Sequence, residues 1–247
     1  MYKRQLRKTL DGTVRALSRL TERRDPYTAG HQERVAELAC AVAREMGLSE
    51  DRIEGLRVAG LLHDIGKTSV PAEILTKPTV LTELEFGVIK EHVRVAYDIL
   101  SEIDFPWPVA EIVLQHHERL DGSGYPQKLK DDEILLEARI LAVADVVEAM
   151  SSHRPYRPAY SLAEALEELK RGKGTLYDPE VVEACLRLFS EGGFSFERDA
   201  SLGEREKTVR KDTAGSRSQN NQQAIGNRPR MANPNRGRFV RDEGSVI

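Results

Sequence analysis

An all-α fold is what this 247-residue chain predicts. Three observations point to it: apolar residues recur at spacings of three and four over most of residues 6–190, helix-start signals precede several of those runs, and no stretch alternates long enough to make a strand. No internal repeat is present.

In chain order, Leu6, Leu10, Val14, Leu17 and Leu20 mark one face of a first helix. That helix could continue upstream into a sensor domain, pair with its copy in a homodimer, or pack against its own chain. Asp25-Pro26 breaks it, and Thr28 offers a cap for a second helix carrying Val35, Leu38, Val42 and Met46 up to Gly47. His31 lies on the same inward stripe. A third helix starts after Ser49, carries Ile53, Leu56, Gly60 and His63, and is expected to stop at Gly66. Thr82 and Glu85 then form a capping box, with Leu81 able to staple onto Phe86, for a helix expected to run on through Ile89, His92, Ala96 and Ile99.

Pro106-Trp107-Pro108 starts a helix expected to reach Gln115-His116-His117-Glu118. Adjacent histidines on a helix point about 100° apart, so this pair shares an ion only near the helix end. A glycine-rich turn, Asp121-Gly122-Ser123-Gly124-Tyr125-Pro126, follows. From Glu137 to about Met150 a helix sets Asp145 among Ile140, Leu141, Ala144 and Val147. A carboxylate there costs several kcal/mol if ionised and unpaired, so it needs a cation. Ser161 with Glu164, and Asp178-Pro179, open two last helices, the second ending near Gly192-Gly193.

Charged residues make up 31% of the chain and the formal net charge is −3. No apolar run approaches the ~20 residues of a membrane span. The basic start Met1-Tyr2-Lys3-Arg4 leads into a charged helix rather than a secretory core, so the expected location is the cytoplasm. Two cysteines, Cys40 and Cys185, sit among apolar neighbours and read as small buried hydrophobes, not a disulfide framework or a thiolate metal site. Composition changes near Arg198: residues 198–247 hold eleven Lys/Arg against six Asp/Glu and almost no apolar periodicity. That segment is expected to be a disordered basic tail that could touch nucleic acid or anionic lipid, or simply be solvated. The expected organisation is therefore an N-terminal helix over 1–24, a helical domain over 25–197 and the tail over 198–247.

The chemistry concentrates at Leu61-Leu62-His63-Asp64-Ile65-Gly66-Lys67. A neutral ring nitrogen beside two anionic oxygens can hold one divalent ion and bridge to a second, and Lys67 follows three residues later, where it could meet a phosphate. Of six histidines, His31, His63, His92, His116 and His117 fall on inward faces or ends of successive helices, as do Asp64 and Asp145. The set holds imidazole and carboxylate without thiolate, which favours iron or manganese, with zinc open. It also exceeds what one tetrahedral ion uses, which points to two metals sharing Asp64.

In these residues the chain resembles the HD-GYP family, the branch of the HD phosphohydrolases that hydrolyses cyclic dinucleotides. The resemblance is carried by Arg24-Asp25-Pro26-Tyr27-Thr28-Ala29-Gly30-His31, His63-Asp64-Ile65-Gly66-Lys67, His92, His116-His117-Glu118, the Asp121–Pro126 turn, Asp145 and Arg154-Pro155-Tyr156-Arg157, over roughly residues 8 to 195. It implies an HD-superfamily helical bundle with a dinuclear metal site. His63, Asp64, Asp145 and His31 would surround the first ion, and Asp64, His92, His116 and His117 the second. Asp64 and Lys67 would be catalytic, Lys67 meeting the scissile phosphate. Arg154 and Arg157 would meet the ligand's guanine or phosphate groups. Tyr125 would lie beside the pocket, in the signature loop formed by Asp121, Gly122, Gly124, Tyr125 and Pro126.

The implied substrate is cyclic di-GMP, giving pGpG and, if the site accepts it, GMP, and diguanylate cyclase (GGDEF) domains are implied partners. One departure is that some members bind a third metal through a glutamate four residues before the first histidine, where this chain has Tyr27. Two rival readings stay open: a non-catalytic module that binds the dinucleotide or a partner protein, and an HD phosphohydrolase acting on another nucleotide.

Overall fold

Local signals set out helix after helix in the computed structural model, which describes residues 2–24, 28–153 and 159–196. Helix α1 spans Tyr2–Glu22, α2 His31–Glu45 and α3 Glu50–Leu62, and a 3-10 turn follows at Ile65–Ser69. A short α4 (Ala72–Leu75) leads to α5 (Glu83–Lys90), α6 (His92–Ser101) and α7 (Val109–Gln115). After the glycine-rich loop come α8 (Leu136–Ser151), α9 (Leu162–Gly172) and α10 (Pro179–Ser190). No strand occurs among the described residues. The capping boxes at Thr82/Glu85 and Ser161/Glu164 both form, and Asp178 accepts the amides of Glu180 and Val181 ahead of Pro179.

Helix α8 is the axis of the body. Nearly every residue from Ala138 to Met150 is buried, and α2, α7, α9 and α10 pack around it. Each fully buried Ile, Leu or Val on it contributes about 1.5–3 kcal/mol of apolar transfer, against the entropy lost on folding. Helices α2 and α3 approach closely because residue 60 is glycine: a Cβ there would fall 2.9 Å from the Ala36 Cα. Helix α1 packs on α3 and on the 3-10 turn, with a buried hydrogen bond between Ser18 and Gln32 and an ion pair from Arg57 to Asp11. Cys40 and Cys185 are both buried, and burial pushes their thiols up to about 11 and about 12, so both behave as small apolar side chains.

Five local expectations need correction. The buried stripe of α1 runs through Val14, Ser18 and Thr21, and Leu20 is 61% exposed, because the helix docks one position round from its most apolar face. The cap of α2 is Gly30 in the left-handed region (φ 71°), while Thr28 gives its backbone carbonyl to the His31 amide. The segment read as one helix from Thr82 to Ile99 is two, α5 and α6, parted at Glu91 immediately before His92. Helix α7 ends at Gln115, so His116 and His117 lie at and beyond its end rather than within it.

Gly66 does not stop α3. It sits inside the 3-10 turn, where a Cβ would fall 1.9 Å from the His92 carbonyl oxygen and 2.7 Å from the Ala96 amide nitrogen. Glycine is there because the turn carrying Asp64 lies directly on the backbone of α6. Arg154, Arg157, Tyr27 and the 198–247 tail lie outside the described residues.

Candidate metal centre

The seven residues read as ligands converge from five segments, and none is more than 6% exposed. His31 opens α2, His63 caps the end of α3 and Asp64 follows it. His92 opens α6, His116 caps α7 with His117 next, and Asp145 comes from the middle of α8. Their potential ligand atoms form three overlapping groups, His31/His63/Asp64, His63/His116/Asp145 and His92/His116/His117, within each of which the atoms lie within 4.8 Å of one another. His116 is thus near both ends of the cluster, not one alone. Because α7 has already ended, the His116 and His117 rings can both turn the same way, with centroids 3.9 Å apart.

Asp64 stands between the histidines. Its Oδ2 is 3.7 Å from His31 Nε2 and 3.6 Å from His63 Nε2, while its Oδ1 is 3.7 Å from His92 Nε2. One carboxylate therefore offers each oxygen to a different set of rings. Asp145 Oδ1 lies 3.3 Å from His31 Nε2 and 3.8 Å from His63 Nε2. Lys67 Nζ donates to Asp64 Oδ2 at 2.9 Å and is itself buried.

The ring orientations fit cation binding. His63, His92 and His116 each put Nδ1 on the carbonyl three residues back, Gly60, Ile89 and Val113, at 2.7, 2.7 and 2.6 Å. A carbonyl only accepts, so the neutral ring carries its proton on Nδ1 and its lone pair on Nε2. All three Nε2 atoms are buried without a hydrogen-bond partner. A buried polar nitrogen left that way is costly, and a cation is what would satisfy three of them at once. The donor set and these orphaned nitrogens together fit a divalent metal.

Electrostatics agree. Burial first, then neighbouring positive charge, pushes His92 down to about 4 and His116 down to about 3, and His117 falls well below its ordinary range. Burial alone would raise Asp64 and Asp145, but Lys67, His63, His31 and His92 around the first, and His31, His63 and His116 around the second, hold both below the usual carboxylate range. At neutral pH His92, His116 and His117 are thus unprotonated, and Asp64 and Asp145 are ionised.

This predicts the acid response of the metal-free protein. As pH falls below about 6.5 the unfolded chain protonates its histidines while folded His92 and His116 resist, so stability present at neutral pH is drained as pH drops towards about 4 and then about 3. The depressed carboxylates extend the loss at lower pH. Urea unfolding of chelator-treated protein should show a clearly lower midpoint at pH 5.0 than at pH 7.5. Equal midpoints would contradict the neutral, buried state of these rings.

Comparison with known families decides the lineage: the HD domain profile matches residues 15–181. The chain belongs to the HD domain family. Within it the chain is of the HD-GYP kind. It is 48% identical over 177 residues to a cyclic di-GMP phosphodiesterase of Thermotoga maritima, covering 71% of this chain and 48% of that protein. It is 41% identical over 182 residues to 3'3'-cGAMP-specific phosphodiesterase 3 of Vibrio cholerae, covering 73% of this chain and 39% of that protein. The chain thus spans less than half the length of either relative. In fold it is similar to the solved structure of a cyclic GMP-AMP specific phosphodiesterase from V. cholerae, with TM-score 0.57 and 19% identity over 79% of this chain and 53% of that one.

The glycine-rich loop over residues 121–126 is fastened to the histidine pair by contacts that sequence reasoning missed. A Cβ on Gly124 would fall 2.4 Å from the Glu118 Cα and 2.5 Å from both the His117 oxygen and the Arg119 nitrogen, so the loop lies backbone-on-backbone against residues 117–119. Tyr125 donates its amide to the His117 carbonyl and stacks its ring on the His117 imidazole, centroids 4.7 Å apart. Gly122 takes φ 79°, which favours glycine.

Glu118, buried, accepts the amides of Gln127, Lys128 and Leu129 and so holds the far side of the loop. Its place next to the two histidines in the sequence was the only signal of it. Arg119, 2% exposed, donates to the Glu118 carbonyl at 2.9 Å and packs 5.4 Å from the Tyr177 ring. Glu118→Ala should cost about 2 kcal/mol or more, by stripping the acceptor from three amides. Hydrogen exchange should then quicken at residues 127–129, and unchanged protection there would refute the assignment.

The other missed residue is Glu148. It is 1% exposed, hydrogen-bonded to His31 Nδ1, Arg34 and Ser152, and held down at about 2 by His31 and Arg34 against burial, which would raise it.

Proposed function

We propose that this HD domain is a metal-dependent phosphodiesterase that hydrolyses cyclic di-GMP. The single observation that carries the reading is the divided Asp64 carboxylate, one oxygen towards His31 and His63 and the other towards His92, beside three buried Nε2 atoms that lack partners. His31, His63, Asp64 and Asp145 would hold one divalent ion, and Asp64, His92, His116 and His117 the other, with iron or manganese favoured by a donor set without thiolate. Bound in pairs, such ions acidify water and offset charge that develops on phosphoryl oxygens.

The chain's own residues do the rest. Backbone carbonyls fix three ring orientations, so the ligands need little rearrangement. Lys67 adds a buried positive charge next to Asp64, the side from which a phosphate would be met. Tyr125 walls the His117 side and would border the bound dinucleotide. Water adds to phosphorus and the ribose oxygen leaves, giving linear pGpG, and a second hydrolysis would give GMP.

The T. maritima relative's name supports cyclic di-GMP, and the V. cholerae relative's name makes mixed cyclic GMP-AMP the competing substrate. The test is turnover of cyclic di-GMP, 3'3'-cGAMP and a mononucleotide by protein loaded anaerobically with Fe(II) or Mn(II). Cyclic di-GMP should be cut fastest. Preferred cutting of 3'3'-cGAMP would move the assignment to that substrate, and no turnover of either beside an active control would sink it.

A further inference from the structure

The histidines of the centre are not held alike. His63, His92 and His116 each rest Nδ1 on an uncharged backbone carbonyl. His31 opens α2 after the Gly30 turn, where the Thr28 carbonyl is already engaged by the His31 amide. Its Nδ1 meets the carboxylate of Glu148 instead.

That carboxylate is anchored on both sides. Oε2 takes His31, while Oε1 accepts Arg34 Nε at 2.7 Å and Ser152 Oγ at 2.7 Å. Two i,i+3 pairs face each other across α2 and α8: His31 with Arg34, and Asp145 with Glu148. The His31 ring thus has Asp145 Oδ1 3.3 Å from Nε2 at one end and the Glu148 carboxylate at the other. An anionic acceptor on one ring nitrogen fixes the tautomer and makes the opposite nitrogen a stronger donor to a cation than a carbonyl would.

We propose that Glu148 is a positioning residue that makes the two ion positions unequal: acting through His31, it strengthens the position at His31, His63 and Asp64, so that this one fills first and empties last. The inference rests on the metal-centre reading above and adds an order of loading to it.

The test is calorimetric titration of metal-stripped, full-length protein with Mn(II), comparing wild type with Glu148→Gln, which keeps the size and one acceptor oxygen but removes the charge. Wild type should bind in two resolved steps. Glu148→Gln should weaken the tighter step about 10- to 100-fold and leave the weaker one unchanged. A purely structural role would instead lower the unfolding midpoint and shift both steps together. Should Glu148→Gln not fold, Arg34→Gln, which leaves the carboxylate but releases it from its fixed position, must weaken the same step. Two steps unchanged, or weakened equally, in a folded variant overturn this inference alone. A wild-type protein that takes up no Mn(II) overturns the metal centre and this inference with it.

Discussion

Asp64→Asn should cut turnover of cyclic di-GMP by about 10³-fold or more and lower the metal content of the purified protein. The size follows from the proposed role: a carboxylate bridging two ions would hold both in register, and charge stabilisation by such ions is worth several kcal/mol, each ~1.4 kcal/mol being tenfold. Asparagine fills the same space and can still accept from Lys67, which spares the fold the full cost of a buried, unpaired cation. Circular dichroism should therefore be close to wild type while activity and metal are lost. A variant that keeps both ions and stays within about tenfold of wild-type turnover would remove Asp64 from the centre of the mechanism.

Gly66→Ala should be the most damaging single methyl in the protein, costing about 3 kcal/mol. The new Cβ would press on the His92 carbonyl and the Ala96 amide, which are helix backbone and cannot swing aside as a side-chain tip can. Relief requires the 3-10 turn to lift from α6, and that movement separates Asp64 from His92, now 3.7 Å apart at their nearest polar atoms. Stability and metal binding should fall together. Gly87→Ala is the matched control: nothing lies within 4 Å of a Cβ there, and alanine inside α5 should stabilise by about 0.5–1 kcal/mol. Urea midpoints at unchanged slope measure both. A Gly66→Ala protein within about 0.5 kcal/mol of wild type would mean the turn and α6 are not locked together.

Much of the helical layout was legible because its signals are local. Thr82 with Glu85, Ser161 with Glu164 and Asp178 with Pro179 each declare a helix start within four residues, and each forms as read. The ligand candidates were legible for a related reason: a histidine or aspartate on an apolar stripe must point inward, and an inward ionisable group needs a partner. Where the reading failed, the deciding contact was distant. Periodicity carried one helix past Glu91, but α5 and α6 part there, immediately before the His92 that Gly66 meets. Leu20 belongs to the apolar face of α1, yet the docked helix buries Ser18, which bonds Gln32 of α2, and Thr21 instead.

From the sequence alone came an all-helical chain, the identity of seven inward ionisable side chains, and a glycine-rich loop immediately after a histidine pair. Those follow from periodicity, capping and the cost of burying charge, which act within a few residues. Only the tertiary structure decided that the two oxygens of Asp64 face different rings, that Gly66 is a contact rather than a stop, and that His31 leans on a carboxylate 117 residues away. The reason is physical: a ligand type is a property of one residue, whereas a site is a set of distances between residues that only packing brings together.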